Sequence, residues 1–306
     1  MMTFIRFYSV VTPNMCSTTV FTRHELPSRS DYAFYHENGW LLTELVVREE
    51  YLQQLRQAVE EVYQSDYDME FPWSTARENI NFNKAYSKRN DPRMDCYLSL
   101  HKHRIKAVIQ NPLLAEYAAM LMDAPQVRLY RDILLSMPQC SGATTGWHVD
   151  KNYWPTCSSD KLTSAWFCLE DCDIENGCLA VVNGSHRFAR TDFLRKIPFE
   201  DIGSIAKLYG KLPKDIDIIS LPHKKGQVSF HSCLLMHCSH PNTSDKPRQS
   251  FATVFQDGDN HFISASCKKH RDINFNTNDH VGPKSKDGQP DYHEPSFYPL
   301  LYNRKT

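Results

Sequence analysis

In the segment GWHVDKNYW a histidine and a carboxylate stand two residues apart, as His148 and Asp150. At the end of a strand that spacing turns both side chains to one face, where they can chelate a single metal ion. A further imidazole would complete the two-His-one-carboxylate face of Fe(II) oxygenases, which leaves the remaining metal positions open. The pair alone carries little weight, because the chain has 14 histidines, and an HxD also arises as a surface salt bridge or a turn. Its weight comes from a second segment, HSCLLMHCSHPNTSDKPRQSFATVF, which supplies His237 and then Arg248 at the head of an alternating strand.

Read together, these segments resemble the phytanoyl-CoA dioxygenase family of Fe(II)/2-oxoglutarate oxygenases. The resemblance is carried by WHVD at 147–150, AWFCLED at 165–171, NGCLAVVNGSHR at 176–187, LLMHCSHPN at 234–242 and Arg248, in that order. It covers the catalytic half, and the N-terminal helices and the tail match only loosely. It implies a double-stranded β-helix, the jelly-roll or cupin-like core, that holds Fe(II) through His148, Asp150 and His237 and uses 2-oxoglutarate and O2. It also implies that Arg248 grips the distal carboxylate of 2-oxoglutarate, and a planar guanidinium does match a carboxylate when the pair is buried. By the same resemblance Trp166 lines the cosubstrate pocket and Ser239 adds a hydroxyl near that carboxylate; their alternatives are a core aromatic and a turn serine.

His186, His231 and His240 compete with His237 for the distal ligand position. His186 falls in NGSHR, a structural turn in the family, and His240 precedes Pro241, which suits the start of a turn; His237 is preferred. The related halogenases lack the carboxylate ligand, so the presence of Asp150 points to a hydroxylase or to a related outcome such as desaturation or epoxidation.

Substrate contacts are harder to read. Asn152, Tyr153 and Trp154 directly follow the ligand strand and are expected at the barrel mouth. The stretch FPWSTARENINFNKAY at 71–86 is a candidate wall, with Phe82 as a substrate contact and Lys84 reaching 2-oxoglutarate or an anionic substrate. Each of these is alternatively a solvated loop residue. The mixture of aromatic, amide and basic groups suits a polar, ring-containing secondary metabolite, while a fatty acyl-CoA, an amino acid or a phosphonate stays open. Two other classes compete. A non-oxidative cupin-type metal enzyme usually carries more histidines and no arginine placed like Arg248, and in a silent binding module the critical residues need not be intact.

These residues need strands to position them. After Pro125 the runs VRLYRDILL, LTSAWFCLE, GCLAVV, IDIISL, QVSFHS and SFATVFQ are rich in β-branched and aromatic residues and are separated by turn residues. The expected fold is mainly β with flanking helices. It comprises an N-terminal helical region over 1–125, a catalytic core over 126–263 with a helical insertion at 188–215 that covers the barrel mouth, and a C-terminal extension over 264–306 tied down by the aromatics of DYHEPSFYPLLY. From Thr43 to Gln64 the steps of Leu52, Leu55, Val59 and Val62 predict one amphipathic helix. Asn111 and Pro112 open another that stops before Pro125.

Composition narrows the partners. Among 306 residues, 35 Lys and Arg face 36 Asp and Glu, so no net field draws nucleic acid or an anionic membrane, and a small molecule is the expected partner. No apolar run reaches the ~18 residues of a membrane span, and no signal peptide is evident; the chain reads as cytoplasmic, a monomer or a homodimer. The ten cysteines include no CxxC pair. Cys168, Cys172 and Cys178 lack a clean fourth zinc ligand and read as free thiols.

Overall fold

Helices form where the sequence supplies caps and a single apolar face. In a computed structural model, which describes residues 20–23, 25–64, 92–188, 196–264 and 276–304, Ser28 caps α1 (Arg29–Asn38) through a capping box with Asp31, and Gly39 ends it at φ +82°. Helix α2 (Glu49–Gln64) buries Leu52, Leu55, Val59 and Val62. Next come α3 (His103–Ile109) and α4 (Pro112–Met122), the latter capped by Asn111, whose side chain accepts the Leu113 N–H. The short helices α5 (Ile202–Leu208) and α6 (Thr277–Val281) follow. Among the described residues no helix is long and apolar enough to cross a membrane.

The strands are β1 (Trp40–Val46), β2 (Arg93–Cys96), β3 (Gln126–Met137), β4 (His148–Val149), β5 (Leu162–Cys168), β6 (Leu179–Val182), β7 (Ile218–Leu221), β8 (Gln227–Ser232), β9 (Met236–Ser239), β10 (Arg248–Asp257) and β11 (Leu300–Asn303). The major sheet runs β1-β8-β5-β10-β3-β11, with β2 also on β3, and the minor sheet runs β4-β9-β6-β7. This is the expected jelly roll with flanking helices.

One detail of the N-terminal region differs from the sequence expectation. Trp40–Val46 is a strand, so the helix expected from Thr43 begins only at Glu49. The run WLLTELV buries alternate residues Leu41, Thr43 and Leu45 and pairs with β8, and a period of two fits an edge strand. The N-terminal region therefore contributes to the sheet as well as to its helical cover.

One face of the major sheet packs on helices. Ala165, Phe167, Phe230, Phe251 and Phe255 share a core with Leu52 and Leu55 of α2 and Leu114 and Leu121 of α4. Trp166, Cys168 and Ala252 point the other way, toward Leu179, Val181 and Leu221 of the minor sheet. Strand β5 is therefore buried along its whole length, and its polar residues Thr163 and Ser164 are buried with it. In the described part of the 188–215 insertion, Phe199, Ile205 and Ala206 pack on Trp147, Val149 and Met236 on the outer face of the minor sheet. In the C-terminal segment Tyr292, Phe297 and Tyr298 join Tyr97, Tyr130 and Trp154 in an aromatic cluster.

Phe251 is fully buried, its ring centroid 5.7 Å from that of Phe167 between sheet and helices. Phe251→Ala should cost about 3–5 kcal/mol of stability in chemical denaturation. A loss below about 1 kcal/mol would mean that this layer does not carry the fold.

Candidate active site

His148 on β4 and His237 on β9 are direct partners across the ladder, so both side chains leave the same face of the minor sheet. Each ring is fixed by a backbone carbonyl two residues earlier in the chain: His148 Nδ1 lies 2.8 Å from Gly146 O, and His237 Nδ1 lies 2.9 Å from Leu235 O. A carbonyl can only accept, so Nδ1 carries the proton and Nε2 of the neutral ring offers its lone pair to the site. Strand β4 ends at Val149, and Asp150 opens a 3-10 turn (Asp150–Tyr153). The turn brings Asp150 Oδ1 to 3.5 Å from His148 Nε2 and 3.9 Å from His237 Nε2. One donor atom from each of the three residues lies within 4.8 Å of the others, and no other His, Cys, Asp or Glu group among the described residues converges in this way.

Protonation suits a cation. Burial, with His148 and His231 close by, holds His237 well below the ordinary imidazole range. Burial alone would raise the Asp150 carboxyl, but His237, His148 and His231 outweigh it and keep Asp150 well below the usual carboxylate range. Neutral imidazole and ionised carboxylate are the forms that ligate metal. The donor set fits a divalent first-row ion with open positions.

A second polar feature lies deeper. Arg248 is 2% exposed, donates from Nη1 to Ser250 Oγ at 2.7 Å, and sits 5.8 Å from the Trp166 ring centroid. Its Nε and Nη2 have no hydrogen-bond partner among the described residues, and neither does Trp166 Nε1. A buried cation with unpaired N–H groups is costly, and an anion seated there would satisfy it. Gly177, at φ +98°, lets its loop close on this arginine: a Cβ there would lie 2.9 Å from His240 O and 3.6 Å from Arg248 Nε. Ser239, two residues beyond His237 on the same strand face, accepts the Thr145 N–H at 3.1 Å.

The other expected residues separate. The Tyr153 ring is 6.1 Å from that of His148, and Asn152 is half-buried in the same turn. Trp154 is not at the mouth. It is 3% exposed and packs edge-on to Tyr130 at 5.3 Å, because the turn points it back into the aromatic cluster. Phe82 and Lys84, with the whole 71–86 stretch, lie outside the described residues.

Of the competing histidines, His186 bonds His36 O at 3.0 Å and His240 bonds Ser220 Oγ at 2.8 Å, both away from the triad. His231 does reach it, with Nε2 3.8 Å from Asp150 Oδ2 and its ring 4.4 Å from that of His237. The sequence reading missed Ser164, whose Oγ is 3.4 Å from Asp150 Oδ2, and His223, whose ring meets Trp166 at 4.7 Å and whose imidazole burial pushes down to about 4. Alternation was the available signal, since Ser164 shares the inward face of β5 with Trp166. Cys168, Cys172 and Cys178 are buried free thiols.

A family model described as Phytanoyl-CoA dioxygenase (PhyH) matches residues 35–250. A Caenorhabditis briggsae protein, "Phytanoyl-CoA dioxygenase domain-containing protein 1 homolog", is 31% identical over 122 residues, 39% of this chain and 42% of the relative, so under half of that relative is matched. The peroxisomal phytanoyl-CoA dioxygenase of Bos taurus is 24% identical over 256 residues, covering 78% of this chain and 72% of that protein. Among solved structures, the non-heme alpha ketoglutarate dependent carbocyclase SnoK from nogalamycin biosynthesis superposes with a TM-score of 0.68 at 23% identity, over 92% of this chain and 99% of its own.

Gly146 holds His148 through its carbonyl at φ +65°, and a Cβ there would lie 3.2 Å from Ile197 O. Gly146→Ala should weaken divalent-cation binding about tenfold in calorimetric titration, the scale of losing a ligand's supporting hydrogen bond. Undiminished affinity would show that this carbonyl does not set the ring.

Proposed function

The chain belongs to the phytanoyl-CoA dioxygenase family, and from that premise we propose that it is an Fe(II)/2-oxoglutarate-dependent dioxygenase acting on a small-molecule substrate. In this reading His148, Asp150 and His237 hold Fe(II), and Arg248, Trp166 and Ser239 receive the distal carboxylate of 2-oxoglutarate. The observation that carries it is a metal-type donor set whose two histidines lie on the minor sheet, together with a buried guanidinium on the major sheet that has N–H groups without a partner among the described residues. His237 and Ser239 are two residues apart on β9, about 7 Å along a strand, and Ser239 is followed by His240, whose carbonyl borders Gly177 beside Arg248. A five-carbon dicarboxylate covers that span.

Bound Fe(II) would supply oxygen activation, coupling oxidative decarboxylation of 2-oxoglutarate to succinate and carbon dioxide with oxidation of a substrate C–H bond. The chain's own residues do the positioning. The carbonyls of Gly146 and Leu235 fix both imidazoles, so their donor atoms need no reorganisation. Arg248 anchors the cosubstrate by its far end, which sets the near end over the triad. Trp166 excludes water from that anchor, and the low dielectric strengthens the pair. Asn152 and Tyr153, on the turn that carries Asp150, stand where a substrate would enter.

Hydroxylation of an unactivated C–H bond is the proposed outcome, with a secondary metabolite as the substrate class. The nogalamycin-pathway neighbour shares the fold, and the half-buried tyrosine and amide of that turn favour a polar, ring-bearing molecule over a bare acyl chain. A non-oxidative cupin-type enzyme leaves Arg248 without a task.

Succinate release under air, dependent on both Fe(II) and 2-oxoglutarate, is the expected activity, and His237→Ala should abolish it. Arg248→Ala should raise the 2-oxoglutarate concentration needed by about 10- to 100-fold, the equivalent of ~1.5–3 kcal/mol for a hydrogen bond to a charged group. The Fe(II) requirement should stay unchanged. Equal weakening of both would remove Arg248 from the cosubstrate site.

A further inference from the structure

The two oxygens of Asp150 face different groups. Oδ1 is the one near both ligand imidazoles, 3.5 Å from His148 Nε2 and 3.9 Å from His237 Nε2. Oδ2 turns the other way, to Ser164 Oγ at 3.4 Å and His231 Nε2 at 3.8 Å. Ser164 on β5 and His231 on β8 are register partners, so the two groups stand side by side on the inner face of the major sheet, opposite the minor sheet that bears both ligand histidines. His231 is 4% exposed, and its Nδ1 has no partner among the described residues. Nε2 is then the nitrogen with an acceptor in reach, and the proton of the neutral ring is assigned there.

We propose that Ser164 and His231 are positioning residues that clamp Oδ2 of Asp150 and so hold the carboxylate as a one-oxygen metal ligand. The inference rests on the metal reading of the triad. A carboxylate can bind a cation through one oxygen or both, and the second mode takes up a position that the cosubstrate or dioxygen needs. Two donors from the opposite sheet, both aimed at Oδ2, oppose the rotation that would bring it round. The 3.4 and 3.8 Å separations are long, and they shorten when Asp150 settles against a cation, as hydrogen bonds at unliganded sites commonly do. His231, which the sequence offers as a rival ligand, thereby acts on the metal through Asp150.

The test uses His231→Leu, His231→Gln and Ser164→Ala, titrated anaerobically with Co(II) as a spectroscopic substitute for Fe(II). His231→Leu should weaken Co(II) binding about 10- to 100-fold, the range for loss of a ligand's supporting partner, and should change the visible ligand-field spectrum. His231→Gln returns an N–H near the place of Nε2 and should recover both. Ser164→Ala should show a smaller loss in the same direction, with a metal-free melting temperature close to that of the unaltered protein. Unaltered affinity and spectrum in His231→Leu overturn the inference. So does a folded His231→Gln as weak as His231→Leu, which makes ring packing on His237 the role of His231. If His231→Leu does not fold, Ser164→Ala decides, and full affinity with an unchanged spectrum overturns the clamp. An unaltered protein that binds no Co(II) refutes the metal reading itself.

Discussion

His148 faces His237 across a ladder whose β4 side is only two residues long, and both ends of the site depend on that register. A slip of one residue would turn His148 outward and send Val149 toward the centre. So short a strand cannot hold its register by its own hydrogen bonds. The insertion supplies the rest. Trp147 exchanges two backbone hydrogen bonds with Ile197, at 2.8 and 3.0 Å, and its indole N–H donates to Phe199 O at 2.9 Å. Its ring stacks near that of Phe199 while Val149 packs in the same outer cluster. The described residues Ile197 and Phe199 thus brace the ligand strand from behind.

Behind the site the major sheet is a stiff wall because helices cover its far face. Strands β5, β8 and β10 are buried on both sides, so their inward polar residues are exceptions in an apolar setting. Ser164, Trp166, Ser229, His231 and Arg248 are among those exceptions, and all of these but Ser164 carry a buried polar atom with no partner among the described residues. Each such atom costs about 1–3 kcal/mol when left unpaired. A dicarboxylate beside a cation, as in the proposed function, has the chemistry complementary to such a group on one wall.

Much of this was legible in the sequence. The triad and Arg248 were read from short motifs whose order resembles the family, and the all-β half from β-branched and aromatic runs separated by turn residues. The helix over 49–64 follows from its three- and four-residue steps. What escaped reading has physical reasons. The WLLTELV strand was hidden because it runs almost directly into a helix, and period-two and period-3.6 patterns overlap over a few residues. Trp154 was misplaced because a 3-10 turn reverses direction within one residue, which spacing does not disclose. The meeting of Ser164 and His231 at Asp150 became visible only once β5 and β8 were paired, because it is a long-range event.

The central claim is that the triad and Arg248 form one site that takes a metal and a 2-oxo dicarboxylate together. Anaerobic mixing of the protein with Fe(II) and 2-oxoglutarate tests it most directly, since chelation of the 2-oxo acid to the bound ion gives a weak visible charge-transfer band. The band should appear only with both components, and at one equivalent of iron. Its absence from protein saturated with Fe(II) and 2-oxoglutarate would contradict the account.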